Sequence, residues 1–155
     1  LPDTGVQPVI APEEPAIYYS TSEEAEQAFY RAFEQADLAV MMGVWLQADY
    51  IICIHPLSNR LIGYDAIRNG WQEIFQNTPP IQFQNTRQQI IHKDNLAIHT
   101  INEKIQVEAD PSQVAQMCCT HIYEQTEKGW HLILHHASPI RRETNKPHSQ
   151  APILH

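Results

Sequence analysis

The spacing of apolar residues changes once along this chain, and that change divides it into two kinds of structure. Up to residue 77 the period is close to that of a helix. Within "STSEEAEQAFYRAFEQAD", residues Ala25, Ala28, Phe29, Ala32, Phe33 and Ala36 form one stripe, as a helix with one buried face requires. The Ser and Thr residues followed by acids supply its start. Asp37 is placed to cap a second, short helix from Leu38 to about Trp45. In "GYDAIRNGWQEIFQN", Ile67, Trp71, Ile74 and Phe75 share one side and predict a third helix. An apolar strand, Asp49 to His55, separates the second helix from the third. Pro79-Pro80 ends the helical region. From there the period is two, which predicts strands near 81–92, 95–108, 112–125 and 129–138. "KDN" and "EKG" supply tight turns between two of the pairs.

Helices followed by a long antiparallel sheet make an α+β layout. The strand at 95–108 sets Ile101, Ile105 and Val107 against Asn102, Lys104 and Gln106. The strand at 112–125 is apolar on both sides: Val114, Cys118 and Ile122 on one, Ala115, Met117, Cys119 and Tyr123 on the other. Such a strand needs cover on both faces. Three helices cover one, and the expected cover of the other is a second copy of the chain, a homodimer through the sheet face. A strongly curved sheet closed by helices on one side is a cone with an opening. Small ligands occupy cavities of roughly 300–1,000 Å³.

The chain has 155 residues, 43% hydrophobic and 18% charged, enough for one globular domain with a real core. A formal net charge of -8 argues against a nucleic-acid partner. No apolar run approaches the roughly 20 residues needed to cross a bilayer. The three cysteines include the neighbours Cys118 and Cys119, which point to opposite faces of a strand. With no CxxC spacing they read as reduced thiols in a cytoplasmic protein. "LPDTG" matches a sortase signal, yet it opens the chain instead of preceding a C-terminal apolar tail. The expected domain is residues 18–140, between a Pro-rich tail at 1–17 and a second tail at 141–155.

"HPLSNRLIGYDAIRNGWQEIF" resembles a segment of the nuclear transport factor 2-like superfamily, in its bacterial branch akin to SnoaL-like polyketide cyclases and ketosteroid isomerases. The features that carry the likeness are His-Pro after an apolar strand, then Gly63, Ala66-Ile67, Trp71 and Ile74-Phe75. "GWHLILHHASP" and the "QAD" turn are similar to the same branch, so the likeness covers about residues 20–140. It implies a cone-shaped fold and leaves function open, because the fold carries isomerases, cyclases, dehydratases and binding modules.

The resemblance also implies where a site would lie. In the isomerases an acid just before the strand-ending proline shuttles the proton. Here that position is His55. A second position, on the penultimate strand, falls on His121. A tyrosine of the first helix falls on Phe29, which cannot donate a hydrogen bond. All three isomerase positions differ, so a literal steroid isomerase is not expected. The division of labour between base and oxyanion donor is that of ketosteroid isomerase, carried over to these positions by resemblance. His55 as base and His121 as donor to an oxyanion would serve proton abstraction next to a carbonyl on a small hydrophobic ligand, without a cofactor. The competing reading makes His55 a strand cap and the domain a non-catalytic ligand-binding or assembly module. Expected around the pocket are Phe29, Trp71, His99, Glu103, Met117 and Cys119, with His136 and Ser138 at the cone mouth on the side of Trp130, Leu132 and Leu134. No metal site is expected. His135 and His136 are strand neighbours pointing apart, and His131 and His135 share a face about 13 Å apart at roughly 3.3 Å per residue.

Overall fold

The computed structural model describes residues 17–141, so the expected tails at 1–17 and 141–155 lie almost wholly outside the described residues. Three helices precede or interrupt the sheet: α1 (Ser22–Gln35), α2 (Leu38–Val44) and α3 (Tyr64–Asn77). Thr21 caps α1, its Oγ1 accepting from the Glu24 amide at 3.1 Å. Ala36 closes that helix in the left-handed region at φ 50. Asp37 caps α2 through the Val40 amide at 3.1 Å, as its position in the sequence predicts. The α3 helix stops at Asn77, just before Pro79-Pro80.

Six strands form one sheet: β1 (Ile52–Ile54), β2 (Leu61–Ile62), β3 (Ile81–Lys93), β4 (Leu96–Val107), β5 (Val114–Thr126) and β6 (Gly129–Pro139). Their order is β2-β1-β6-β5-β4-β3, antiparallel except where β1 runs parallel to β6. The strand expected from Asp49 is shorter than its apolar pattern, and the two-residue β2 has too little pattern to be foreseen. Asp94, at φ 52, turns the β3–β4 hairpin, and Gly129, at φ 95, turns the β5–β6 hairpin. The architecture is an α+β cone.

Register places four chemistry-bearing residues in one row across the concave face. His99 pairs with His121, His121 with His135, and His135 with Cys53. Ile101, Cys119 and Ala137 form the adjacent row. A bulge controls this alignment. Ile122 pairs with Leu134 but Tyr123 pairs with Leu132, so Ile133 is an extra residue in β6. One extra residue reverses which side chains face inward.

The helices lie on this face and their aromatic rings fill the space beneath them. Phe29 sits 4.5 Å from the His121 ring and 5.5 Å from Trp71, and Phe33 sits 4.8 Å from Phe83, all edge to face. Phe29, Trp71, Ile101, His99, His121 and Tyr123 are fully buried. The hollow expected between helices and sheet is therefore packed with side chains. The opposite, convex face carries Ile91, Ile98, Ile122, Leu134, Ile52 and Ile62, paired in sequence across all six strands.

Candidate functional site

The polar chain inside the cone begins on α1. Glu26 occupies the helix stripe that also holds Ser22, Ala25 and Phe29, so it is carried into the core and is only 6% exposed. Its Oε1 lies 2.9 Å from His99 Nδ1 and 3.5 Å from His121 Nδ1, and its Oε2 accepts from the Gln88 amide. Burial alone would raise this carboxyl, but hydrogen bonds from His121 and His99 outweigh it and hold Glu26 below the usual range. Ser22 Oγ lies 2.9 Å from His99 Nε2.

An ionised Glu26 accepts, so the His99 nitrogen 2.9 Å from it carries a hydrogen, and the same charge 3.5 Å from His121 Nδ1 favours the Nδ1–H tautomer there. The Nδ1–H of His121 also lies 3.0 Å from the Tyr123 hydroxyl. Its Nε2 then accepts from His135 Nδ1 at 2.8 Å, which leaves the His135 lone pair on Nε2. Burial pushes His121 down, and it pushes His135 well down, with the His121 and His55 imidazoles adding to the effect. Both rings are neutral bases at physiological pH.

Two thiols flank this row. Cys119 Sγ lies 3.5 Å from His135 Nδ1, and Cys53 Sγ lies 3.4 Å from His55 Nε2. Burial pushes both thiols up. Cys118 is exposed, as adjacent strand positions require. A second polar pair, Tyr30 and Glu103, is joined by a 2.6 Å hydrogen bond from the hydroxyl. Burial lifts the Glu103 carboxyl to about 7.

His55 occupies a different environment. It follows β1, packs edge-on against Trp71 at 4.6 Å between ring centres, and retains 9% exposure. Burial lowers it to about 4. Its outer side lines an open cleft of about 510 Å³ between the β1–β2 connection and α3, with Pro56, Ser58, Leu61, Glu73 and Ile74.

The two imidazoles expected to act together are thus separated by accessibility. His55 reaches the cleft, whereas His121 is 0% exposed and has partners at both ring nitrogens. Phe29, Trp71, His99, Glu103 and Cys119 all lie in the interior, and Met117 is partly buried beside Glu103 in register. Phe29, Trp71, His99 and Cys119 pack the hollow, whereas Glu103 also lines an open cavity of about 570 Å³ with Thr86, Arg87, Lys104 and Gln116. His136 and Ser138 are exposed on the convex side, paired with Thr120 and Cys118. The Ile133 bulge put His135 and Ala137 inside in their place. The same bulge separates His131 from His135: their partners, Glu124 and His121, lie on opposite faces. His131 bonds the Ile17 carbonyl at 2.8 Å.

Sequence reasoning missed Glu26, Tyr123, His135 and Cys53. Glu26 had a signal, a charge at helical spacing from the apolar Phe29 and next to Ala25. Cys53 and His55 had another, since residues two apart on a strand share a face.

A model of the SnoaL-like domain matches residues 23–142. A structure from Thiobacillus denitrificans, assigned provisionally as a calcium/calmodulin-dependent protein kinase type II association domain, is 34% identical. The match covers 83% of this chain and 100% of that one, with a TM-score of 0.76. A Streptomyces avermitilis structure, provisionally a dehydratase of the nuclear transport factor 2-like family, is 29% identical over 76% of this chain and 92% of that one, TM-score 0.70. The F-box protein SKIP8 of Arabidopsis thaliana is 27% identical over 143 residues, 89% of this chain. This chain spans 58% of that plant protein.

Proposed function

This chain belongs to the SnoaL-like domain family, within the nuclear transport factor 2-like superfamily, and we propose that it is a ligand-binding module whose guest enters the His55 cleft. The reading rests on one observation: His121 is sealed in the core with both nitrogens partnered. A carbonyl substrate cannot reach it, so the two-imidazole mechanism lacks its oxyanion donor. The cleft has the volume of a small-ligand site and mixes apolar walls, Leu61 and Ile74, with His55, Ser58 and Glu73. A guest with an apolar body and one hydrogen-bonding group fits that lining.

A thermal-shift screen of small carbonyl and carboxyl compounds tests the reading. Guests should raise the melting temperature of the native chain, and His55→Ala should abolish the shift. Stabilisation that survives His55→Ala would refute the cleft as the site. Deuterium exchange next to a substrate carbonyl, lost in His121→Phe, would restore the isomerase reading.

A second copy of the chain is the proposed partner, seated on the convex face. The apolar row there crosses every strand, and its ends, Ile62 and Ile91, are each 50% exposed. Strands β3 to β6 hold 11 to 13 residues each, so their convex face spans about 750 Å² at roughly 4.8 Å between strands and 3.3 Å per residue. A stable interface needs roughly 800 Å² per partner. The association-domain assignment of the Thiobacillus relative supports the same reading.

A further inference from the structure

The Cys53–His55 end of the polar chain is a place where ligand atoms converge, and it stands apart from whether the cleft takes an organic guest. Cys53 Sγ, a ring nitrogen of His55 and one of His135 lie within 4.8 Å of one another, and all three residues are buried. We propose that Cys53, His55 and His135 form a binding site for a divalent transition metal of the zinc class, with a fourth position reached from the cleft.

Four observations carry this. The donor set, one thiolate and two imidazoles, is that of an open zinc site with three protein ligands. Tetrahedral coordination at roughly 2.3 Å for sulfur and 2.05 Å for nitrogen sets the two ligand atoms roughly 3.5 Å apart. Cys53 Sγ and His55 Nε2 stand at 3.4 Å. The supporting contacts are also in place. His135 donates through Nδ1 to His121, whose own Nδ1–H faces the Glu26 carboxylate. That keeps the His135 Nε2 lone pair out of the relay, and a metal-ligating histidine commonly has its other nitrogen held in this way. Finally, His55 lines the cleft, which gives an ion and a fourth ligand an access path. The Trp71 Nε1–H, buried without a hydrogen-bond partner among the described residues, belongs to the ring packed against both His55 and His135.

A rival triad shares His135: Cys119, His121 and His135 also bring their donors within 4.8 Å. It fits less well. His121 Nε2 and His135 Nδ1 are already bonded to each other at 2.8 Å, closer than the roughly 3.3 Å between two nitrogens on one tetrahedral ion. None of its three residues reaches the cleft that His55 lines.

The test uses the full chain, reduced and stripped with a chelator, titrated with Co²⁺ and then Zn²⁺. One Co²⁺ per chain should bind, giving a thiolate-to-cobalt charge-transfer band and the intense visible bands of a tetrahedral site, bleached by Zn²⁺. Cys53→Ser should remove the charge-transfer band, and His135→Gln should weaken binding at least tenfold. Cys119→Ser should leave both within about threefold of the native chain. In the unmutated chain, Zn²⁺ should raise the melting temperature and the stripped protein should lose that gain, a readout that needs no variant to fold. Absence of the band in folded protein, or its loss in Cys119→Ser with retention in Cys53→Ser, overturns the proposal.

Discussion

Lowering the pH should destabilise this fold through His55, and the size of the effect follows from its surroundings. The groups facing it are the Cys53 thiol, the rings of Trp71 and His135, and, from the cleft, the carboxylate-bearing Glu73. Burial dominates and takes the imidazole from its ordinary 6.5 to about 4. Between those values the unfolded chain binds a proton that the folded chain refuses. Stability is therefore full above pH 6.5 and is lost as pH falls toward 4. The shift corresponds to about 3 kcal/mol in all at 1.36 kcal/mol per unit, of which about 2 kcal/mol is gone by pH 5. The raised Glu103 carboxyl contributes with the opposite slope, so the native curve alone would mislead. Urea denaturation of the native chain and His55→Gln from pH 8 to pH 5 isolates the imidazole, since Glu103 is common to both. The native chain's advantage should shrink, or its deficit grow, by about 2 kcal/mol over that range. Parallel curves, with the difference constant within about 0.5 kcal/mol, would refute the claim that His55 is held neutral by burial.

Other outcomes follow from the same structure. Glu103→Gln should stabilise the chain by about 1–3 kcal/mol at pH 8, where the buried native carboxyl is ionised, and change little at pH 5, where it is protonated; denaturation at the two pH values checks this. Phe29→Ala should cost about 3–5 kcal/mol in the same assay, because that ring packs against Trp71 and His121 and its removal leaves a cavity between them. Gly129→Ala should destabilise by about 1–3 kcal/mol, since φ is 95 there and an added Cβ would stand 2.6 Å from the Tyr19 carbonyl oxygen. Ile122→Glu, at the middle of the convex row, should convert a dimer to monomer in sedimentation analysis while leaving the far-ultraviolet dichroism unchanged.

Local pattern carried the elements well because helix stripes and strand alternation are properties of neighbouring residues. Caps at Thr21 and Asp37 and the stop before Pro79 fall where side-chain chemistry puts them. The site was less legible because it depends on register. Nothing local to β6 announces that Ile133 is an extra residue, yet that bulge decides that His135 and not His136 points inward. An alternation read straight through the strand goes wrong past that point, and the error is one residue in every position. The row of His99, His121, His135 and Cys53 is likewise a product of four strands aligned in space. Only its Cys53–His55 end was written in neighbouring positions of one strand.

The hydrogens along that row run in one direction, and this gives the interior its logic. Glu26 is the fixed negative charge, which favours an N–H on each imidazole next to it. His121 therefore turns its lone pair toward β6, and His135 answers with its own N–H. The consequence accumulates at the far end, where a ring nitrogen of His135, the Cys53 thiol and a ring nitrogen of His55 stand within 4.8 Å of one another. A core assembled for packing alone would do as well or better with apolar residues of the same volume, because each buried polar group must recover its lost hydration. Here recovery is complete at the Glu26 end and leaves electron pairs converging at the end nearest solvent. The same burial that lowers His55 and His135 keeps both imidazoles neutral, so the row ends in uncharged nitrogens beside the Cys53 thiol and not in a buried cation.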